Sequence, residues 1–462
     1  MANMKTLIRI VFIIFIANGI DCLGSNNYCS FSEYENIIKD EDIIAESLVN
    51  YDWYNAKEDL ILKIFEKNNN DVFTSKGNED KILFKLDENV KLKITNQDET
   101  EDKLKLEDKK YALFEIKTET SKTVYLYCSD IESSEYNDVF NGIFKGTDHI
   151  SISVKACDTT NVMNMNGMFS ECSNLEKLDL KNFNTENVTN MNNMFSESNN
   201  LTELDLKNFN TKTVTDMSYM FYFCNSLKNL DISNFNTTKV TNMAYMFYGC
   251  EILNELKFGQ NFNTKKVNNM SHMFYKCSNL EKLDLKNFNT EKVTDMSFMF
   301  SGCNNLTELD LKNFDTKKVT NMECMFYKCS NLEKIDLKNF NTEKVTDMGS
   351  MFFQCEKLTK LNLENFYTTK VTNMYCMFNN CGSLTEIDLK NFNTKNVAEM
   401  GCMFYNCEKL TKLEFGKNFR TSNVLYKEDM FSGCNSFPEE IRSNLNDVEG
   451  IINFFKEKKK IF

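Results

Sequence analysis

LEKLDLKNFNTEKVTDMSFMFSGC, residues 280–303, recurs with small changes between Val162 and Cys434. The copies are 26 residues apart, with two spacings of 27. A fixed period of this length is typical of a solenoid, in which each repeat packs only against its neighbours. One valine marks every copy: Val162, Val188, Val214, Val240, Val267, Val293, Val319, Val345, Val371, Val397 and Val424.

Each repeat combines two hydrophobic periods. The L-x-x-L-x-L spacing at 175–180 predicts a short strand that buries alternate side chains. The M-x-x-M-F spacing at 191–195 predicts a short helix, and Asn190 stands where its N-cap belongs. Strands joined by helical crossovers run parallel. We therefore predict an α/β solenoid: a leucine-rich repeat array with one parallel sheet and short helices on the opposite side.

The two longer repeats each carry a glycine at the end of the strand. Gly259 and Gly416 lie where the other repeats have Lys or Asn before the phenylalanine. One added residue with glycine at this place predicts a β-bulge.

The N-terminus has the pattern of a secretory signal peptide. Lys5 and Arg9 precede the apolar run 10–17, and small and polar residues follow. This run is shorter than the roughly 20 residues that span a membrane. We assign residues 1–22 to a cleaved signal and expect secretion or display at the cell surface, with no membrane span after signal removal. Cys22 would suit a lipid-modified terminus, but Ile20 and Asp21 before it match that signal poorly.

Residues 23–148 lack the repeat and predict a small α+β domain. Apolar residues at helical spacing predict a helix from Ser30 to Lys67, and alternating residues beyond Asn70 predict strands. Two roles remain open: a cap over the N-terminal end of the array, as solenoids require, or an independent module.

The array itself is assigned to residues 149–437, about 11 repeats, and residues 438–462 to a C-terminal capping helix. That last segment begins at Pro438 and has an apolar stripe made of Leu445, Val448, Ile451, Ile452 and Phe455. A cap over the last repeat is the favoured interpretation. The alternative is an amphipathic tail that touches a membrane surface.

The charge balance excludes some classes of partner. The chain has 462 residues and a formal net charge of −13, and its lysines are interleaved with aspartates and glutamates. Nucleic acids and anionic membranes are held by concentrated Lys and Arg. We therefore expect no nucleic-acid partner.

Ten of the 17 cysteines share one column of the repeat. Ser198 takes the eleventh place, which indicates a need for a small buried side chain more than for a bond. A row of buried thiols is favoured over a disulfide ladder. The column consists of Cys172, Cys224, Cys250, Cys277, Cys303, Cys329, Cys355, Cys381, Cys407 and Cys434.

Three further cysteines, Cys324, Cys376 and Cys402, each come five residues before a column cysteine. On a helix that separation would point the two side chains apart. Because no C-x-x-C or other zinc spacing occurs, we expect no metal site and no cofactor.

The consensus of the repeat is L-x-x-L-D-L-x-x-F-N-T-x-x-V-T-x-M-x-x-M-F-x-x-C, as at residues 306–329, where Asp315 takes the place of Asn. This consensus resembles the repeat of the BspA-like leucine-rich repeat surface proteins. Bacteria, mollicutes and some parasitic protists have such proteins. The resemblance implies a secreted or cell-surface protein and, as in several relatives, adhesion or host interaction. It names no ligand.

No catalytic constellation is visible. His149 and His272 are the two histidines, and His272 occupies a position held by Tyr219, Tyr245 or Phe298 in other repeats. Nucleophilic catalysis would need a unique arrangement of residues outside the repeat. We expect no catalytic residue and no enzymatic activity, and a hydrolase within 23–148 has no motif to support it.

The polar positions between the strand leucines form the candidate ligand-binding face. Aspartates there point away from the buried leucines, and lysines two residues later offset the repulsion between like charges about 4.8 Å apart on neighbouring strands. A striped, charge-paired face suits an extended partner, a protein or a glycan on a host or neighbouring cell, but it would also serve solubility alone. Its residues are Asp179, Lys181, Asp205, Lys207, Asp231, Asp284, Lys286, Asp310, Lys312, Asp336, Lys338, Asp388 and Lys390.

Five N-x-[ST] sequons are candidate glycosylation sites, although Asn and Thr are so common here that chance explains them. They lie at Asn187, Asn200, Asn236, Asn269 and Asn305.

The sequence thus predicts a binding or adhesion scaffold that acts through its strand-lined face. The alternative is a self-associating structural or coat protein of the cell surface with no specific ligand. The oligomeric state does not follow from the sequence.

Overall fold

The computed structural model describes residues 142, 144–146, 150–157, 159 and 162–458, and seven short strands before them. The expected signal peptide, most of the expected helix at 30–67 and His149 lie outside the described residues. Two parts of that helix are described, and both are strands, because Ile61–Leu62 and Glu66–Lys67 pair with later segments of the chain. The helix expected there is therefore wrong at these positions.

The described elements are fifteen strands followed by two helices. The strands of the N-terminal part are β1 (Ile61–Leu62), β2 (Glu66–Lys67), β3 (Phe73–Thr74), β4 (Ile82–Leu83), β5 (Lys91–Thr95), β6 (Tyr111–Lys117) and β7 (Thr123–Ser129). The strands of the repeats are β8 (Ser151–Cys157), β9 (Lys177–Asp179), β10 (Asn229–Ile232), β11 (Glu255–Phe258), β12 (Glu308–Leu309), β13 (Lys334–Ile335), β14 (Glu386–Leu389) and β15 (Lys412–Phe415). The helices are α1 (Glu439–Arg442) and α2 (Val448–Lys458).

The chain divides into a first unit, residues 1–213, and a second unit, residues 214–462. In the first unit, β5, β7, β6, β8 and β9 form one sheet in that order. Pairing is antiparallel from β5 to β8 and parallel from β8 to β9, so β8 joins the N-terminal strands to the first repeats. Gly142, Phe144 and Gly146 already donate to carbonyls of residues 166–170, which extends the repeat pairing to before residue 149.

The predicted parallel strands of a leucine-rich repeat are confirmed. In the second unit β10 pairs with β11, β12 with β13, and β14 with β15, all in parallel and with each residue opposite its equivalent 26 positions later. Burial alternates along these strands: Leu230 and Ile232 are buried and Asn229 is exposed. The fold is a parallel solenoid, as the leucine spacing predicts.

The expected helix of each repeat is absent from the described repeats, and a run of turns takes its place. Met220 donates to Met217, and Tyr222 to Tyr219, as i to i−3 backbone bonds. The amides that alternate with these donate instead to the next repeat: Tyr219 N to Ala244 O at 3.0 Å and Phe221 N to Met246 O at 2.9 Å. Two residues per segment adopt positive φ, such as Tyr219 at 58°. This left-handed conformation redirects alternate N–H groups out of the segment, so an α-helix cannot form.

The buried columns match the sequence prediction. Val293, Met296, Met299 and Phe300 have no exposed area, and each repeat supplies equivalents. The phenylalanines of the turn segments stack across repeats, for example Phe300 on Phe326 with ring centroids 5.7 Å apart. Each such side chain contributes about 1.5–3 kcal/mol when fully buried.

The cysteine column forms a row of buried thiols that donate to backbone. Cys303 Sγ donates to Phe274 O at 3.1 Å, one repeat earlier, and the other bonds recorded for the column have the same form. Ser198 makes the equivalent bond to Phe169 O at 2.7 Å. The column therefore holds a small side chain with a hydrogen-bond donor.

A buried threonine column, overlooked in the sequence, closes each strand. Thr316 has no exposed area, donates to Asn341 O at 2.9 Å and accepts from Asn341 N at 2.7 Å. The Thr316 hydroxyl thus bonds both the N–H and the carbonyl of Asn341, which lies beyond the paired strand residues of its repeat. Its equivalents are Thr185, Thr211, Thr237, Thr264, Thr290, Thr342, Thr368, Thr394 and Thr421.

Helix α2 packs on the last repeat. Ile451 and Ile452 are 1% exposed, and Phe455 lies 5.2 Å from Phe437 and 6.5 Å from Phe415 of β15, measured between ring centroids. Four of the five residues of the apolar stripe are therefore buried, and Leu445 is half-buried.

Candidate functional site

The strand face places the predicted aspartates and lysines side by side. Lys286 Nζ lies 2.6 Å from Asp284 Oδ2, and Lys312 Nζ lies 2.7 Å from Asp310 Oδ2. The same pairs form at Asp336 with Lys338 (3.3 Å), Asp388 with Lys390 (2.9 Å), Asp179 with Lys181 (3.4 Å) and Asp205 with Lys207 (3.8 Å). The two partners of each of these pairs belong to one repeat, so their charges offset each other within that repeat.

These pairs shift the proton affinities of their members. The hydrogen bond from Lys286 lowers the pKa of Asp284, and that from Lys312 lowers the pKa of Asp310. The same contact with Asp310 raises the pKa of Lys312. Because these groups are exposed, water screens each pair and the pair contributes little to stability.

The aspartates also have a structural role. Asp284 Oδ1 accepts from the backbone N–H of Lys286 at 3.1 Å, which forms an Asx turn. Asp231 makes the same bond to Ser233 N at 3.0 Å in a repeat that has no lysine at this position. One carboxylate oxygen therefore shapes the backbone while the other faces solvent and the lysine.

A third polar column completes the face and went unnoticed in the sequence. Lys282, Glu308 and Lys334 precede the aspartates by two residues, and Glu308 lies opposite Lys334 in the β12–β13 pairing. Farther along, Lys412 Nζ lies 3.7 Å from Glu386 Oε2 on the adjacent strand. The same two-residue alternation that identified the aspartates would have found this column. Lys412 also lies 2.8 Å from Glu414 of its own repeat, so this column forms ion pairs both within a repeat and between repeats.

Two shallow grooves lie on the strand face of the second unit. The larger, about 700 Å³, covers three consecutive repeats between Lys282 and Lys338. The smaller, about 390 Å³, covers the repeats between Lys360 and Glu414. Both are lined by alternating acidic and basic side chains, with the strand leucines or isoleucines at the base. The predicted residues Asp284, Asp310 and Asp336 thus converge on one groove.

A second exposed feature lies on the turn segments. Tyr219, Tyr245, His272 and Phe298 occupy equivalent left-handed positions and stack in a continuous row, with ring centroids 4.6, 4.4 and 4.6 Å apart. The rings are half-buried. His272, expected to be a variant of an aromatic position, indeed replaces one ring of this row.

A parallel row of tyrosines accompanies the first. Tyr222 stacks on Tyr248 at 4.8 Å and Tyr248 on Tyr275 at 4.4 Å. Burial, with the neighbouring tyrosines, raises the pKa of Tyr248 to about 12, so its hydroxyl stays protonated. Lys276 lies over the Tyr275 ring. Since the ring faces cover one another, these rows present ring edges and hydroxyl groups to solvent.

The candidate glycosylation sites differ in accessibility. Asn187, Asn200 and Asn305 are exposed. Asn236 and Asn269 are half-buried, and their Oδ1 atoms accept from Thr238 N at 3.1 Å and Ser271 N at 2.9 Å.

Within the described part of the chain, no three His, Cys, Asp or Glu side chains are placed to hold a metal ion. Among the same residues, no helix is long and apolar enough to cross a membrane.

A family profile described as "Mycoplasma protein of unknown function, DUF285" matches residues 138–259, 254–360 and 329–445. These overlapping matches cover the repeats. The search of curated proteins finds no match.

Two solved structures are similar in part. One is a leucine-rich repeat protein from Bacteroides ovatus, 13% identical, aligned over 63% of this chain and 78% of that chain with a TM-score of 0.31. The other is the Toll–Spatzle complex of Drosophila, 14% identical, aligned over 55% of this chain and 41% of that chain with a TM-score of 0.21. Both TM-scores are too low for either structure to inform the function of this chain.

Proposed function

We propose that this chain, which belongs to the DUF285 family, is a binding scaffold that engages an extended protein partner through its strand face. The observation that supports this most directly is the 700 Å³ groove between Lys282 and Lys338. It repeats one pattern of charges over three consecutive repeats, two of which contribute the paired strands β12 and β13. A partner would gain many weak contacts there, each of low energy alone.

The charges of the groove favour a partner that carries both signs. Every aspartate in it is already paired with a lysine of its own repeat, so a purely cationic or anionic partner would have to break those pairs. A polypeptide with alternating charges exchanges one exposed ion pair for another at little cost. For this reason a protein is favoured over an acidic glycan, and nucleic acid is not proposed as a partner.

The proposed location of the protein rests on the signal-like N-terminus and on the resemblance to BspA-like surface proteins. The proposal places the protein outside the cell or at its surface, where a repeat scaffold would serve adhesion. It includes no enzymatic activity, because no unique constellation of catalytic residues supports one.

The test is a triple substitution that removes charge without removing the Asx turns. Asp284→Asn, Asp310→Asn and Asp336→Asn keep an oxygen acceptor for the lysine N–H groups, whereas charge reversal would also disturb the backbone. The control changes net charge equally at exposed turn positions: Glu251→Gln, Glu343→Gln and Glu408→Gln.

The full chain and both variants are applied to one array of extracellular proteins and glycans. We expect protein ligands of the wild type to bind the aspartate variant at least about tenfold more weakly and the control unchanged. Equal binding by the aspartate variant would rule out the strand face. Glycan spots alone would overturn the choice of partner. The absence of any ligand, together with concentration-dependent assembly in light scattering, would favour the coat-protein alternative.

A further inference from the structure

The left-handed position that carries aromatic rings from Tyr219 to Phe298 holds smaller residues in later repeats. There it holds Cys324, Ser350, Cys376 and Cys402. Cys376 and Cys402 are equivalent positions of consecutive repeats, so this part of the array places two thiols side by side. The sequence predicted that each of these cysteines points away from its nearest column cysteine, but the neighbour that matters lies in the next repeat.

The backbone holds the two cysteines in matching conformations. Their φ angles are 55° and 54°, and Cys376 N donates to Gly401 O at 3.0 Å. Asn373 and Glu399, three residues before each cysteine, form a parallel bridge. The two Cβ atoms therefore leave neighbouring chains in the same direction. The spacing of about 4.8 Å between paired chains lies within the range of Cα separations in disulfides, about 4.4–6.8 Å.

Three donors surround the sulfur of Cys376. Asn379 Nδ2 donates to it at 3.4 Å, and the thiol of Cys402 and the hydroxyl of Tyr375 are in hydrogen-bonding contact with it. Burial raises the pKa of Cys376, and these hydrogen bonds oppose that effect. The donors offset only part of the effect of burial, so the pKa of Cys376 stays above its ordinary value and the thiolate, which is the reactive form, is populated as the pH rises.

Tyr375 covers the pair. Its ring lies over Gly401, where an added Cβ would come within 3.2 Å of the ring. The equivalent residues of the flanking repeats are Gly349 and Gly401, so the bulky side chain has room on both sides. Tyr375 is 45% exposed, Cys376 is 5% exposed and Cys402 is half-buried. The pair thus lies beneath one side chain at the surface, unlike the column thiols in the core.

We infer that Cys376 and Cys402 form a peroxide-oxidised dithiol that cross-links two consecutive repeats, with Tyr375 as its cover. The Cys376 thiolate attacks one oxygen of a hydroperoxide, the O–O bond breaks, and a sulfenic acid and hydroxide or alkoxide form. Cys402 sulfur then attacks the sulfenic sulfur, an S–S bond forms, and water leaves with the Cys402 proton. Two thiols are oxidised and one peroxide is reduced, so no other reactant is needed.

The test measures this cross-link in a background free of the neighbouring column cysteines. Cys381→Ser and Cys407→Ser are suitable because Ser198 fills the same position naturally. The protein is treated with hydrogen peroxide, capped with N-ethylmaleimide and digested with trypsin. We expect peptides 371–390 and 396–409 to be joined with the loss of two hydrogens. Cys402→Ser should abolish the joined species.

Cys324 provides the internal control. Its equivalents in the flanking repeats are Phe298 and Ser350, so it has no thiol at the same position on either side and should remain open to alkylation after denaturation. If Cys376 and Cys402 are oxidised to sulfinic acids without joining, or remain as reduced as Cys324, the inference is overturned. Tyr375→Phe keeps the ring and removes one of the three donors to Cys376, so cross-linking should slow by about threefold or more, and an unchanged rate would show that the Tyr375 hydroxyl has no part in it.

Discussion

The imidazole of His272 stacks on the ring of Tyr245 with centroids 4.4 Å apart and planes 8° apart. Its Nδ1 atom is buried and has no hydrogen-bond partner among the described residues. A ring held in this way is stabilised as the neutral, apolar form. His272 is therefore the member of this row of aromatic rings that can gain a charge in mildly acidic solution, and its charge state links the array to pH.

The first prediction concerns that link. Burial lowers the pKa of His272, with Asp295 opposing, so the unfolded chain binds the proton more tightly than the folded one. Stability contributed by the neutral ring is present above the unfolded pKa of about 6.5 and is lost as pH falls below it. In His272→Phe, which restores the residue type of Phe298, the thermal midpoint should fall less between pH 7 and pH 5 than in the wild type. Equal pH profiles in differential scanning calorimetry would contradict this.

The second prediction tests the threonine column. Thr316→Val keeps the shape but leaves both Asn341 N–H and Asn341 O without the bonds that Thr316 supplies. Unsatisfied buried groups cost about 1–3 kcal/mol. Thr316→Ser should retain most of the stability because the hydroxyl remains. Thr320→Val is the control, since Thr320 is exposed and its bond to Thr294 O is accessible to water. Thermal unfolding of the three variants measures the difference.

The third prediction concerns the glycine of a longer repeat. A Cβ added at Gly259 would lie 1.7 Å from Ser233 O, so Gly259→Ala forces two backbones apart. We expect a loss of about 1–3 kcal/mol, the usual result of overpacking. Gly382→Ala is the matched control because nothing lies within 4 Å of its added carbon. If both variants unfold at the same temperature, the close approach at Gly259 has no energetic importance.

The fourth prediction concerns the thiol column. Cys303→Ser should change stability by no more than about 1 kcal/mol, since a hydroxyl donates to Phe274 O as the thiol does. Cys303→Leu adds volume to a side chain with no exposed area and should cost about 1–3 kcal/mol. Unfolding in a reducing buffer compares the two, and a serine variant as unstable as the leucine variant would show that polarity, not size, limits this position.

The buried columns and the parallel strands could be predicted from the sequence, because the spacing of apolar residues within one repeat shows which side chains face the core. The prediction failed at the turn segment for a physical reason. Met217, Met220 and Phe221 have the three- and four-residue spacing of a helix, and successive turns produce the same spacing. The run of turns differs from an α-helix in the positive φ of Tyr219, and tyrosine is not a residue type that indicates a positive φ.

The candidate site was predicted in part. The aspartates and lysines of the strand face were identified, but the Asx turns were not, since they depend on which carboxylate oxygen faces the backbone. The aromatic rows were overlooked because each ring looks like an ordinary variable position in its own repeat. The contact that creates the row exists only between repeats.

The amides that leave each turn segment meet the same carbonyls in every following repeat, as Phe274 N meets Met299 O and Phe300 N meets Met325 O. Adjoining surfaces are therefore interchangeable. Removal of residues 294–319 would join Val293 to Thr320 and restore the V-T step of the motif. A gene that gains or loses whole copies would alter the reach of the strand face by about 4.8 Å per copy and leave the pattern of backbone hydrogen bonds between repeats in place. Recombination between repeats is therefore sufficient to lengthen or shorten the array during evolution.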